Sequence, residues 1–513
     1  MQSIKHENAA LIKRKWIHAL LVFGFFSLIS RFPNLYCGDT GYKYFKNYSY
    51  KEYNHQAQNW GMVQAPDGII YVANQGGVLE YDGVTWRIID VPNYIVRSLA
   101  IDQTGDIYVG GKNEIGVLGP DSQGKLEYHS LRHFLPDKSI EFTDAWKTYA
   151  TEKGVYFHTS KLLFRWDTHK MKIWEPRTQF YFSFLCAGRF FIRQENIGLM
   201  EMVDDTLQPV PGGEIFTAKK IYMMAPYNTR DILIGTDTEG FYLYTGTGII
   251  PFPTAVDDYL KKNSLYHGTR LSSGDYALAT RRGGLVIMDS QGRLKYTWNK
   301  DSGLQDNCVY YVFEDSEENL WLCLDKGISR IENASPFSIY DDRSGLDGIL
   351  LSVTRHNNDL YVGSTNGLFY LESSCKFSPI NGITAQCWSL ASTGDSLLAA
   401  TPGGVFLVDK NNRQQVSKDP VFALLPSEYR PGRIWRIKGD RRIKRIECPI
   451  TGTLPKTRVC FYNQCFSKIN RYAVQKTYVA VAIGIRHKRE IVRGQAKIIS
   501  SRSLQIMEND AIL

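Results

Sequence analysis

Asp67-Gly68-Ile69-Ile70-Tyr71-Val72-Ala73-Asn74-Gln75-Gly76-Gly77-Val78-Leu79-Glu80-Tyr81 is the stretch whose reading decides the fold. An Asp-Gly turn opens it, an apolar run follows, a small polar turn intervenes, and a glycine begins a second apolar run. Runs this short, rich in Val, Ile and Tyr and bounded by Gly and Asn, read as β-strands rather than helix. Residues 60–65 and 85–90 flank the pair as two more strands, so the unit has four.

The unit recurs. Copies centre on Tyr71, Tyr108, Tyr156, Phe191, Leu233, Ala277, Trp321, Tyr361 and Leu398, in steps of 35 to 48 residues. About 40–50 residues is the length of a four-stranded propeller blade. One blade cannot bury both its faces, so blades stack around an axis, and closing the circle removes the exposed edges. The expected fold is all-β: a seven-bladed β-propeller over residues 51–335, then the first blades of a second, incomplete propeller over 336–433. A tenth copy starts at Arg430-Pro431-Gly432-Arg433-Ile434-Trp435 and breaks off mid-strand into Arg436-Ile437-Lys438-Gly439-Asp440-Arg441-Arg442.

Charge changes at the same point. Residues 433–513 carry 18 Lys and Arg against 5 Asp and Glu, whereas the rest holds 43 basic and 47 acidic residues. The net charge of +9 is therefore a property of the tail, and gives no reason to expect nucleic acid on the propeller. Residues 434–513 read as a basic non-repeat tail foreign to the fold, as an out-of-frame or truncated ending would be. A basic surface-binding segment and a divergent last portion are the alternatives.

At the other end, Lys13-Arg14-Lys15 precede an apolar stretch over residues 16–29. A basic run before an apolar segment of that length reads as a signal peptide or an N-terminal membrane anchor over 1–37. The only expected membrane contact is through this segment. A mean hydropathy of −0.28 excludes a polytopic membrane protein. Nine scattered Cys, with no CxxC and no Cys–His cluster, form neither a disulfide framework nor a zinc site. They read as small buried apolar residues, although neighbouring strands would also permit a Cys308–Cys323 bridge.

The copy Ser302-Gly303-Leu304-Gln305-Asp306-Asn307-Cys308-Val309-Tyr310-Tyr311-Val312-Phe313-Glu314-Asp315, continued by Asn319-Leu320-Trp321-Leu322-Cys323-Leu324-Asp325-Lys326-Gly327-Ile328, carries a resemblance. It resembles the two-component regulator propeller repeat, with its Gly-Leu, Asn-x-Val, acidic-Asp turn, Leu-Trp strand and Gly-Ile. That repeat fills the periplasmic sensor halves of large regulators in Bacteroidetes-type bacteria. In that family two seven-bladed propellers precede a triple-tyrosine domain, a membrane helix and a kinase or helix-turn-helix output. The resemblance, over residues 51–433, implies an exported, periplasmic ligand-sensing input region of a two-component signal transduction regulator, non-enzymatic by itself. It supplies no output domain: His487-Lys488-Arg489-Glu490 is not a phosphoacceptor box, and no Gly-rich ATP-binding motif follows.

No catalytic constellation, cofactor motif or metal-ligand spacing stands out, and the paired acids Asp204-Asp205, Asp257-Asp258 and Asp341-Asp342 read as solvated turns. Binding is the better prospect. The loops between second and third strands converge on one end of a propeller channel, and here carry Asn74, Lys112, Asn113, Glu114, Arg193, Asp237, Arg281, Arg282, Asp325 and Lys326. Such groups suit a small polar ligand. Trp60, Trp146, Tyr222 and Tyr266, near the starts of first strands, are placed to stack on sugar faces, or else simply fill blade interfaces. The expected partner is a polar or carbohydrate-like ligand, with pairing of two copies through the sensor region as a further expectation. A propeller enzyme acting on glycans, or a scaffold remnant without output, are the alternatives.

Overall fold

The computed structural model describes residues 41–335, 337–372, 376–393, 396–410 and 412–426, with a few short strands beyond. The expected leader over 1–37 lies outside the described residues, as does most of the basic tail. Two compact units form: Lys43–Pro336, and Met1–Tyr42 with Phe337–Leu513. Among the described residues, no helix is long and apolar enough to cross a membrane.

In Lys43–Pro336 the strands make seven four-stranded antiparallel sheets. Six are simple meanders whose first strands are Asn59–Gln64, Val96–Ile101, Lys147–Thr151, Phe180–Cys186, Ile221–Pro226 and Leu265–Arg270; the seventh sheet starts at Val309–Glu314. Each first strand packs against that of the next sheet, and Val309–Glu314 packs back against Asn59–Gln64. The strands therefore surround one axis, and the unit is a β-propeller.

The second strands explain the repeat. Ile70–Asn74, Ile107–Gly111, Ile232–Thr236, Tyr276–Thr280 and Leu320–Leu324 are buried along their whole length, because a sheet lies against each face. Continuous apolar runs, rather than alternation, follow from that double burial. Where a glycine starts a third strand, as at Gly77, Gly198 and Gly327, it is a steric requirement. At Gly77 (φ +141°) an added Cβ would lie 2.7 Å from the Ile89 carbonyl oxygen, and at Gly327 (φ +98°) 2.7 Å from that of Tyr48. The Asp315 turn is held by its carboxylate, which accepts from the backbone N–H of Glu317 and Asn319 and from Trp321 Nε1 at 2.8 Å. The residues that carry the family resemblance thus fasten a turn to a strand.

The circle is closed by the chain's own beginning. Phe45–Tyr48 pairs antiparallel with Gly327–Ile331 and supplies the outermost strand of the seventh sheet. The boundary expected at residue 51 lies after this strand, inside the unit. Nothing in the repeat pattern marks Phe45–Tyr48, since it is detached from its sheet by the whole ring. Tyr48 is 1% exposed, stacks on Trp321 at 5.6 Å and meets Tyr81 and Trp86 edge-on at 5.3 Å. Gln305 donates to the carbonyls of Tyr48 and Ile328, and Asn47 donates to that of Gly303. Met62, Val72, Leu79 and Cys323 complete the seal between seventh and first sheets.

In the other unit, strands at Leu350–His356, Asp359–Ser364, Gly367–Leu371 and Phe377–Pro379 make one four-stranded sheet, and those from Ser389–Thr393 to Arg413–Ser417 make another. A three-stranded sheet, Ala423–Pro426, Arg433–Ile437 and Ile443–Glu447, follows, so strand pairing continues past the point where the repeat breaks off. Leu504–Met507 pairs with Phe337–Tyr340. The thiols of Cys186, Cys308, Cys323 and Cys387 are all free, which removes the Cys308–Cys323 bridge.

If Tyr48 seals the ring, Tyr48→Ala should lower the unfolding free energy by roughly 3–5 kcal/mol, the range for losing a buried aromatic. Tyr48→Phe, which loses only the 3.3 Å bond to Tyr81 Oη, should cost about 1 kcal/mol. Urea unfolding of the full chain checks both; an alanine variant as stable as the parent would refute the closure argument.

Candidate functional site

Six of the seven first strands begin with a buried residue: Asn59, Val96, Phe180, Ile221, Leu265 and Val309 are all essentially inaccessible. Directly after it the pairing register slips, between Asn59 and Gly61, Val96 and Ser98, Phe180 and Ser183, Ile221 and Met223, Leu265 and His267, and Val309 and Tyr311. A bulge leaves its extra residue outside the ladder and re-aims the side chain. The residues so released are Trp60, Arg97, Tyr181, Tyr222, Tyr266 and Tyr310. In the third sheet Trp146 takes the corresponding place, its N–H donating to the His158 carbonyl just before a regular strand.

These side chains meet. Trp60 stacks on Tyr310 with centroids 4.3 Å apart, Tyr310 meets Tyr266 at 5.3 Å, Tyr266 meets Tyr222 at 5.3 Å, and Tyr222 meets Tyr181 at 6.1 Å. On the other side Trp60 meets Trp146 at 5.9 Å, with the Arg97 guanidinium 4.2 Å from one ring and 5.0 Å from the other. The result is an aromatic belt drawn from all seven sheets. Cations lie along it. Arg281 sits 4.8 Å over Tyr266 and donates to Tyr222 Oη at 3.2 Å, while the Lys220 ammonium lies 5.3 Å over Tyr181. The helix Asp257–Asn263 braces the Arg281 loop: the Arg281 N–H donates to the Asn263 carbonyl, and Tyr259 Oη to that of Gly283. Burial pushes the Tyr266 phenol up to about 12 and raises that of Tyr222, the latter aided by the Tyr181 hydroxyl, so the Tyr222 and Tyr266 hydroxyls stay neutral.

Next along the first strands stands Lys147. Its ammonium lies 5.6 Å from the Phe182 ring and 5.5 Å from the Tyr311 ring, and among the described residues it has no hydrogen bond or ion pair. Lys147 pairs directly with His158, which is wholly buried with both ring nitrogens unpartnered. Burial and the Lys147 charge pull His158 down to about 3 and His267 well below its ordinary range. Both imidazoles are therefore neutral beside the ammonium.

Of the residues expected from sequence, Trp60, Trp146, Tyr222, Tyr266 and Arg281 come together in the belt. Asp325 joins it by accepting from Tyr310 Oη at 3.1 Å and Gln58 Nε2 at 2.6 Å. Asp237 stands close enough for its charge to act on Tyr222 and Arg281, and its Oδ1 is buried without a partner. The others are committed elsewhere. Asn74 donates to the Gln56 and Gln58 carbonyls and to Asn59 Oδ1; Asn113 Oδ1 accepts from the Phe142 N–H and from Arg132; and Glu114 accepts from Tyr128 and Ser130 hydroxyls in the outermost strand of its sheet. Arg193 lies over Tyr181 but spends Nε and Nη2 on the Phe216 and Thr217 carbonyls. Arg282 donates to Ser264 Oγ, and Lys112 and Lys326 are exposed. Sequence reading missed Arg97, Lys147, Tyr181 and Tyr310. Their signal was positional: all but Lys147 follow the buried residue that opens a first strand, and Lys147 is one place further on.

No protein-family model and no curated protein sequence matches the chain. Solved structures do. The extracellular domain of the hybrid two-component system BT3049 from B. thetaiotaomicron superposes with a TM-score of 0.59 at 16% identity, over 81% of this chain and 60% of that one. The extracellular domain of BT4673 from the same bacterium gives 0.47 at 16%, over 79% and 66%, and virginiamycin B lyase from Staphylococcus aureus gives 0.42 at 13%, over 56% and 98%. The chain thus spans about 60% of the BT3049 domain. At these identities the likeness is one of fold, and the chain is a β-propeller protein similar in architecture to those sensor domains.

Burial lowers the Lys147 amine from its ordinary 10.5 to about 8. The unfolded chain keeps that proton to higher pH, so charging Lys147 in the fold costs stability in full below about pH 8, and the cost fades as pH rises through the ordinary lysine range. Urea unfolding between about pH 7 and pH 10.5 should show the parent gaining stability relative to Lys147→Met. Parallel pH curves for the two proteins would contradict an unpaired, desolvated ammonium.

Proposed function

We propose that this chain is the exported ligand-sensing propeller region of a two-component-type regulator, binding a polar, carbohydrate-like ligand at the aromatic belt and doing no chemistry itself. The observation that carries the reading is the set of rings and cations released at the repeated bulge. Six first strands break their own hydrogen-bond ladder at the same position, and each break releases a ring or a guanidinium toward its neighbours. A ladder interrupted only for packing would not be expected to leave Trp60 Nε1 and Asp237 Oδ1 buried and unpartnered. Flat ring faces beside hydrogen-bonding groups suit a sugar, whose C–H face stacks while its hydroxyls are read from the side. The family resemblance of the repeat and the architectural likeness to the BT3049 extracellular domain both support a sensor. Ligand affinity that differs between two docking states of paired sensor regions would carry the signal as a population shift.

Titration calorimetry of the full chain against a panel of neutral and acidic oligosaccharides tests this. A binder should emerge whose affinity falls about tenfold or more in Trp60→Ala, through lost stacking, and whose length is unchanged after prolonged incubation. Silence across the panel from a folded protein would remove the ligand class, and depolymerised product would turn the reading toward an enzyme.

A further inference from the structure

Cations in this propeller are ordinarily matched. Arg165 pairs with Asp205, Arg189 with Glu201, Lys295 with Asp275, Arg293 with Asp289, and Arg330 with Glu317. Arg97 in the belt keeps Asp144 as its partner, but at Lys147 and Arg281 the pattern fails. Lys147 has no acidic partner among the described residues, and neither has Arg281. Of the nearby carboxylates, Asp144 is taken by Arg97 Nε at 3.0 Å and Asp325 by Gln58 and Tyr310, while the Asp237 charge acts on Arg281, so the cation left without one is Lys147. Unpartnered buried polar atoms gather in the same region, at His158 Nδ1 and Nε2, Ser183 Oγ and Arg97 Nη1. His158 and Ser183 are both fully buried.

A desolvated ammonium with no counter-charge is costly, and an anion brought to it recovers the Coulomb energy that the fold leaves unused. The aromatic faces of Phe182 and Tyr311 compensate only in part, since a cation over a ring is held more weakly than one against a carboxylate. We infer that the belt and Lys147 together form a receptor for a ring-bearing anion: a ligand with one carboxylate or sulfate held by Lys147 and a ring packed against the belt beside the Trp60–Tyr310 stack. This rests on the sensing reading and narrows its ligand from polar to acidic. Arg281, which also feels the Asp237 charge, takes a second negative group where the ligand has one. The acidic group, rather than the sugar hydroxyls, then sets specificity, because it is the part whose loss leaves a buried charge unmatched.

Two matched pairs of probes test this with the full chain, read by tryptophan fluorescence and calorimetry: digalacturonate against galactobiose, and benzenesulfonate against benzyl alcohol. The acidic member of each pair should bind at least about tenfold tighter, with the difference shrinking as salt rises. Lys147→Met should abolish the preference while keeping the neutral members' affinities and an unfolding midpoint no lower than the parent's, and Arg281→Gln should weaken digalacturonate without removing the preference. Equal affinities within both pairs, no binding of either acid, or a preference that survives in Lys147→Met would each overturn the inference. A neutral glycan bound at Trp60 with no acid preference would overturn it and leave the sensing reading standing; acid-selective binding of benzenesulfonate beside a silent oligosaccharide panel would do the reverse.

Discussion

Every sheet of the first unit is apolar on both faces, so each needs a neighbour on each side. One strand pairing makes this possible for all seven at once. Phe45–Tyr48 on Gly327–Ile331 joins the beginning of the unit to its end, and Tyr48 fills the seam between the seventh and first sheets. Without it the first sheet and the seventh would each expose an apolar face, and the seventh an open strand edge as well. Elsewhere in the ring, sheets that touch are successive in sequence. The closing contact spans nearly the whole unit, and so its loss releases more than the area it buries.

Closure also brings the site into being. A belt residue does little alone; Trp60 acquires its stacking partner Tyr310 only because the last sheet returns to the first. The bulges that expose these side chains cost ladder hydrogen bonds, and the unmatched charge at Lys147 costs solvation. Both costs fall on the first strands, while the second strands are uniformly buried and packed. The packed core and the belt are thus divided between adjacent strands of one sheet, the interior strands fastening the ring and the axial ones carrying the rings and cations.

The other unit repeats these devices within itself. Ser352 Oγ donates to the Cys387 carbonyl at 3.1 Å, as Ser98 Oγ does to that of Ala145 at 2.7 Å. In both places a glycine, Gly363 or Gly110, leaves room for the contact. A register slip between Leu350 and Ser352 frees Leu351, which matches the position of Arg97. The same blade geometry therefore serves sequences of different chemistry: with an aliphatic residue at the released position the bulge is still there, so it belongs to the blade, and what distinguishes the first unit is the ring or cation it carries.

The blade itself was legible in the residues. Each of the nine repeat centres lies on a second strand, because a strand buried on both faces must be a short continuous apolar run, and in five of the nine the next strand starts at a glycine. The belt was legible in part: Trp60, Trp146, Tyr222 and Tyr266 stood out as rings near strand starts, but Arg97 and Lys147 have no aromatic signature, and Tyr181 and Tyr310 sit among other rings. Loop polarity misled in the opposite direction, since Asn74, Asn113 and Glu114 are polar in order to hold their own turns. Local sequence therefore determined the strands, the turns and the repeat, all of which depend on neighbours a few residues away. Only the tertiary structure decided which strand closes the ring, which side chains meet at the axis and which charge is left unmatched, because these depend on pairings between residues hundreds of positions apart.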